Sequence, residues 1–176
     1  MSSLIDLFNS KPFLYYICSS SHPYEPKYAI ENALDKSTKW FQSNTSPYYW
    51  QITFSKPVKI KSYIMGGSTL WTVTPTSWEI SYSSNGKTFS YLQTDSASTL
   101  KGTKKEFKLD HMISCVHFRI TGKTCNNGNI WIALNQFDCF GSLRNGINYC
   151  TNNILRIRNQ IFTKQLTAIM ILFLTS

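Results

Sequence analysis

The stretch Tyr49-Trp50-Gln51-Ile52-Thr53-Phe54-Ser55-Lys56-Pro57-Val58-Lys59-Ile60-Lys61-Ser62-Tyr63-Ile64-Met65-Gly66-Gly67 decides the fold. Its opening alternates, with Trp50, Ile52 and Phe54 on one face and Gln51 and Thr53 on the other, which is the pattern of a strand with one side in a core. Ser55-Lys56-Pro57 then turns the chain, because proline fixes its own φ and interrupts a ladder of hydrogen bonds. Beyond it Val58, Ile60, Ser62 and Ile64 point one way and Lys59, Lys61 and Tyr63 the other. Gly66-Gly67 ends the strand and opens a loop through Thr76.

The same punctuation continues on both sides. Trp78, Ile80 and Tyr82 form the inner face of a third strand that stops at Ser84-Asn85-Gly86-Lys87, where Asn-Gly supplies the positive φ values of a tight hairpin. Phe89 to Gln93 is the return strand. After a Ser/Thr-rich loop from Thr94 to Thr103 come runs at Glu106 to Leu109 and Ser114 to Thr121, the second setting Val116, Phe118 and Ile120 against Cys115, His117 and Arg119. Gly122 to Asn129 is polar loop, and Ile130 to Gly141 is the last strand. Pro23 to Lys39 reads as an ordered connection around a core. Short strands about ten residues apart with Gly/Pro/Asn breaks predict an all-β sandwich or barrel.

The composition fits one folded domain. Of 176 residues 42% are hydrophobic and 15% aromatic, while only 15% are charged, which excludes a disordered chain. The formal charge of +9 is unevenly spread: 14 basic residues face 9 acidic ones up to Leu143, and the remainder carries Arg144, Arg156, Arg158 and Lys164 with no acid. Such a surplus favours loose association with acidic surfaces without specifying one. The organisation expected is an extension over 1–12, a body over 13–143 and a basic, apolar tail over 144–176, short and irregular or helical. The longest apolar run, Ala168 to Leu174, falls short of the roughly 20 residues a membrane span needs, so the tail is read as an appendage or a short amphipathic surface segment. Five cysteines, an odd set, behind an N-terminus interrupted by Asp6 and Lys11, point to free thiols in a reducing, cytoplasmic compartment.

Eight short motifs occur in an order that resembles the coagulation factor V/VIII type C, or discoidin, domain family. They are Ser19-Ser20-Ser21, Asn32-Ala33-Leu34-Asp35, Thr38-Lys39-Trp40, Tyr49 to Phe54, Pro75 to Ile80, Ser84 to Lys87, His117 to Ile120 and Leu134 to Gly141. The resemblance covers about residues 13 to 143 and is greatest to cytoplasmic-type members of single-celled eukaryotes. It implies an antiparallel jelly-roll β-sandwich of the galactose-binding-like type without enzymatic activity, binding glycans, anionic phospholipids or proteins through loops at one end. It also implies a calcium-ligand position at Asp35 beside Thr38. The loop between them is short, it contains Lys36, and neutral Gln136 stands where a supporting Glu is usual, all of which weaken a site for a cation that wants six to eight hard oxygens. Structural calcium is therefore a candidate cofactor only. Arg119 falls at the family's strand arginine, whose service is structural pairing at a sheet edge.

Candidate ligand residues follow from the loops. Trp71, flanked by Leu70 and Val73, offers a ring face for a sugar or a lipid interface. Asn44, Tyr48 and Asn127 offer amides and a phenol for hydroxyl groups. His22, His111 and His117 lack the spacing of a zinc site. The chain has no Gly-rich phosphate loop, nucleophile elbow or metalloprotease pattern, and its basic residues are scattered, so neither an enzyme nor a nucleic-acid binder is expected. A non-catalytic module is expected, with a protein partner first, a carbohydrate such as a galactoside second, and an anionic membrane surface third.

Overall fold

The computed structural model describes residues 2–20, 30–34, 41–43, 47–67, 74–98, 100, 102–126, 128, 130 and 132–144. The chain divides into two units, Met1–Leu143 and Arg144–Ser176. The second lies, apart from Arg144, outside the described residues, and with it the expectations for the tail. Among the described residues no helix is long and apolar enough to cross a membrane.

The strands are β1 (Ser2–Ser3), β2 (Tyr16–Ser20), β3 (Phe41–Ser43), β4 (Tyr49–Gly67), β5 (Pro75–Ser83), β6 (Ser90–Ser96), β7 (Lys104–Cys125) and β8 (Ile132–Leu143), with a helix α1 (Leu4–Asn9) and a 3-10 turn at Ile30–Ala33. Every pairing is antiparallel. The order is β1-β8-β4-β7-β5-β6, with β2 also on β4 and β3 on β8.

Two long strands make the sandwich by folding over. β4 pairs with β7 from Tyr49↔Thr121 to Thr53↔His117, jumps register, and resumes from Val58↔Cys115 to Gly66↔Lys104. The expected turn at Ser55-Lys56-Pro57 is this jump. It is a corner within one continuous strand, latched where the Ser55 amide donates to the Tyr15 carbonyl at 2.8 Å and the Tyr15 amide to Ser55 Oγ at 3.0 Å. Past the corner the strand doubles back. The Trp50 ring lies 4.7 Å from that of Phe137, and Phe137 is the register partner of Met65 at the other end of β4. One leaf thus contains β2, the first half of β4, the second half of β7, and β5 with β6. The other contains the remaining halves of β4 and β7, and β8 with β1 and β3. β6 is tied back to the second leaf by Gln93, whose amide donates to the Lys108 carbonyl at 3.1 Å and accepts from the Asp110 amide at 2.8 Å.

Between the leaves Trp50, Ile52, Phe54, Ile60, Tyr63, Met65, Trp78, Ile80, Phe118, Ile120 and Phe137 are fully or almost fully buried. Tyr63 is a correction to the sequence reading, which faces it outward with Ile64 inward. Against β8, Ile60 pairs with Gly141 and Ser62 with Phe140, so β4 carries one added residue there, and that bulge inverts the alternation after it. Tyr63 and Met65 turn in and Ile64 becomes half-buried. Opposite the corner, where the β4–β7 register jumps, Cys115 is buried and Val116 half-buried. Burial holds the Cys115 thiol up at about 12, the state of a small apolar side chain rather than a reactive one. Cys115 and Cys139 are free thiols.

The β5–β6 connection is wider than the tight hairpin expected from Asn85-Gly86, because Tyr82 pairs with Ser90 and the residues between them form the loop. Ser83 Oγ accepts from the Asn85 and Gly86 amides, Asn85 Oδ1 accepts from those of Lys87 and Thr88, and Gly86 takes a φ of 72°.

Residues 2–9, within the stretch set apart as an extension, are part of the first unit. Ser3 caps α1 by accepting from the Asp6 amide at 3.0 Å, and its hydroxyl donates to Asp138 Oδ1 at 2.8 Å. Leu4, Ile5 and Phe8 are buried in the same cluster as the sandwich core, and the Phe8 ring lies 5.0 Å from that of Phe54. Six residues are too few for a stable isolated helix, so burial of this face is what holds α1.

Candidate functional site

Doubling β4 back on itself has a consequence for the loops. Tyr49 and Gly67, the two ends of β4, both lie at the end of the sandwich away from the Ser55–Pro57 corner. β5 begins there at Pro75, opposite Cys125 where β7 ends, and β3 ends there at Ser43, opposite Ile132 where β8 begins. Backbone bonds fasten the loop roots to one another. The Gly122 amide donates to the Tyr48 carbonyl at 2.8 Å, the Asn126 amide to that of Thr74 at 3.2 Å, and the Gly67 amide to that of Leu100 at 3.2 Å. Gly67 is there because of close approach: a Cβ would stand 2.6 Å from Thr74 Cγ2 and 2.8 Å from the Leu100 carbonyl oxygen. The connections after β3, after β4 and after β7 are thus rooted side by side.

Tyr48 is the expected ligand residue that the structure describes. It is half-buried, packed against the core at the root of β4. Trp71, Leu70, Asn44 and Asn127 lie outside the described residues, as do Asp35 and Thr38 of the candidate calcium position. Gln136, which stands where a supporting Glu is usual, is half-buried on β8; its neighbour Asp138 is buried, with Oδ1 accepting from Ser3 Oγ and the Cys139 amide, both at 2.8 Å. That carboxylate anchors the N-terminus. No group of three or more His, Cys, Asp or Glu is placed to hold a metal among the described residues.

A cluster that the sequence reading did not assemble lies on the outer face of the first leaf. Arg119 sits in the middle of this leaf, β7 being flanked by β4 and β5, rather than at an edge. Its guanidinium carbon is 3.6 Å from the centre of the Phe89 ring and 4.4 Å from that of Tyr49. Its Nε and Nη2 donate to Gln51 Oε1 at 3.0 and 2.8 Å. Gln51 Nε2 donates to Thr53 Oγ1 at 3.1 Å and approaches His117 Nδ1 at 3.5 Å, while Thr53 Oγ1 and His117 Nδ1 are 2.9 Å apart. Burial, and after it the charge of Arg119, hold the His117 imidazole below its ordinary range. The signal for this cluster in the sequence is weak, because outward positions of two strands meet only once the register is known.

Solved structures share this architecture. A module of CpGH89 from Clostridium perfringens, CBM32-5, in complex with GalNAc-beta-1,3-galactose, is 14% identical with a TM-score of 0.61, over 80% of this chain and 100% of that one. The family 32 CBM of NanJ from C. perfringens, in complex with galactose, is 16% identical with a TM-score of 0.57, over 72% of this chain and 92% of that one. CpGH89 from C. perfringens, in complex with its substrate GlcNAc-alpha-1,4-galactose, is 11% identical with a TM-score of 0.61 over 73% of this chain, which spans 14% of that enzyme's length. At these identities the likeness establishes the galactose-binding-like sandwich. No curated protein matches in sequence. The F5/8 type C domain pattern matches residues 17–136, from β2 into β8, and on that match the chain belongs to the F5/8 type C domain family.

Proposed function

We propose that the chain is a non-catalytic binding module whose ligand is a carbohydrate of the galactoside class, taken up by the loops rooted at Tyr48, Gly67, Thr74 and Asn126. The observation that carries this reading is that similar sandwiches are seen in complex with galactose and with a galactose disaccharide, combined with loop roots that converge at one end here. A protein partner is the first expectation of the sequence, and these complexes favour the carbohydrate over it. Trp71 would provide the stacking face, with Asn44 and Asn127 as hydrogen-bonding amides.

A protein of this fold also recurs inside a far longer enzyme, which is how a module that supplies binding alone comes to serve catalysis by another domain. The test is a glycan array probed with the full chain and with Trp71→Ala. Galactose-terminated glycans should be retained by the former and lost by the latter. Equal signals from both would reject Trp71 as the stacking residue, and an array with no signal would return the protein partner to first place.

A further inference from the structure

The outer-face cluster around Arg119 runs along the first leaf from Tyr49, at the loop end, to Phe89 and Gly86 of the β5–β6 connection, at the corner end. Its electrostatics are unusual. Arg119 is half-buried, its guanidinium carbon lies over the rings of Phe89 and Tyr49, and its acceptor is the neutral amide oxygen of Gln51. Among the described residues no carboxylate reaches it; Glu79, on the neighbouring row of β5, is paired with Lys123 at 2.9 Å. Guanidinium carries five N–H donors and two are used on Gln51, so one edge of a fixed cation is left for an external acceptor. The two bonds to Gln51 and the contacts with the Tyr49 and Phe89 rings restrain the guanidinium, which lowers the ordering cost an exposed arginine pays when it takes a bidentate anion.

The surroundings add hydroxyl groups. Ladder register places Ser19, Gln51, Arg119 and Ser81 in one row across four strands, and Ile17, Thr53, His117 and Ser83 in the next. Ser19, Arg119 and Ser81 are half-buried.

We infer that this face is a second binding site, for an oxyanion carried on a sugar ring, a carboxylate or a sulfate, with Arg119 as the bidentate donor, and Ser81 beside it and Ser19 beyond Gln51 for ring hydroxyls. The sugar part rests on the carbohydrate reading above; the oxyanion part does not.

The experiment follows the Arg119 Nε–H and the Gln51, Ser81 and Arg119 backbone amides by NMR in the full chain, at constant ionic strength, during titration with glucuronate, galactose 6-sulfate, galactose and sodium sulfate. The first two probes separate the carboxylate source from the sulfate source. Saturable shifts are expected with at least one of them, stronger than with sodium sulfate, and none with galactose. Gln51→Glu supplies an internal carboxylate to the same guanidinium and should weaken the response about tenfold or more. Its thermal unfolding midpoint shows that the fold is kept, and Arg119→Lys, which keeps charge without the fork, serves as the second variant. Trp71→Ala should leave these shifts unchanged. No shift with any oxyanion, an unchanged response in both Arg119 and Gln51 variants, or sodium sulfate equalling the sugars would each overturn the inference. Galactose binding at the loop end without any response at Arg119 would overturn it while leaving the proposed function standing.

Discussion

His117 illustrates how one residue's surroundings set a property of the whole fold. Its ring nitrogen meets Thr53 and Gln51, Phe89 lies edge-on with ring centres 6.2 Å apart, a Cβ on Gly86 would come within 3.0 Å of the ring, and Arg119 is the neighbouring cation. Burial and that cation disfavour the imidazolium in the folded chain, so the unfolded chain takes up the proton first as pH falls. Stability is therefore full above the ordinary histidine range of about 6.5 and declines on acidification through it. The urea midpoint should fall between about pH 7.5 and 5.5, and His117→Gln should show a smaller fall over that window. Identical pH dependence in both proteins would mean that His117 does not titrate differently on folding. The position of His117 on an alternating run is legible in the sequence. Its partners are not, because Thr53 and Gln51 reach it across a strand pairing, and Phe89 and Gly86 reach it by way of a loop whose width Asn85-Gly86 alone does not fix.

Among elements, α1 is the one whose contribution the composition conceals. Six residues, Leu4 to Asn9, look like a loose end in a sequence whose signals are all of strands, yet Phe8 is almost wholly buried against Phe54. Phe8→Ala should cost about 3–5 kcal/mol, in the range for removing a buried aromatic ring, measured by equilibrium urea unfolding. A cost below about 1 kcal/mol, the level of ordinary surface changes, would show that the helix is dispensable. The strands themselves were foreseeable from alternation, Trp50-Ile52-Phe54 and Trp78-Ile80 above all, and these residues form the inner layer as expected. Bulges are where alternation misleads. One extra residue near Lys61 exchanges Tyr63 with Ile64, and nothing in the local residue types announces it, because a hydroxylated aromatic reads as comfortable on a surface. Its burial becomes sensible only with its partners present. Trp78 Nε1 donates to the Tyr63 hydroxyl at 2.7 Å, and that hydroxyl donates to Asp95 on β6, so the buried oxygen is satisfied from both sides.

On the scale of the whole molecule, the doubled-back β4–β7 pair sets where the connections lie. It brings those after β3, β4 and β7 to one end, with the Arg119 cluster on the outer face of the first leaf. Charge does not pick out either one, since nearly half of the formal surplus belongs to residues after Leu143. The family and the sandwich were legible because short motifs in fixed order survive where overall identity does not; the ligand was not, because Trp71, Asn44 and Asn127 lie in connections whose chemistry varies independently of the fold. Galactoside binding at the loop end, as proposed, is checked by titrating galactose into the isotope-labelled full chain and following the backbone amides of Tyr48, Gly67, Thr74 and Asn126. Saturable shifts are expected at these root residues and should disappear in Trp71→Ala; saturation with shifts confined to other parts of the sandwich, or no shift at all, would rule the loop site out.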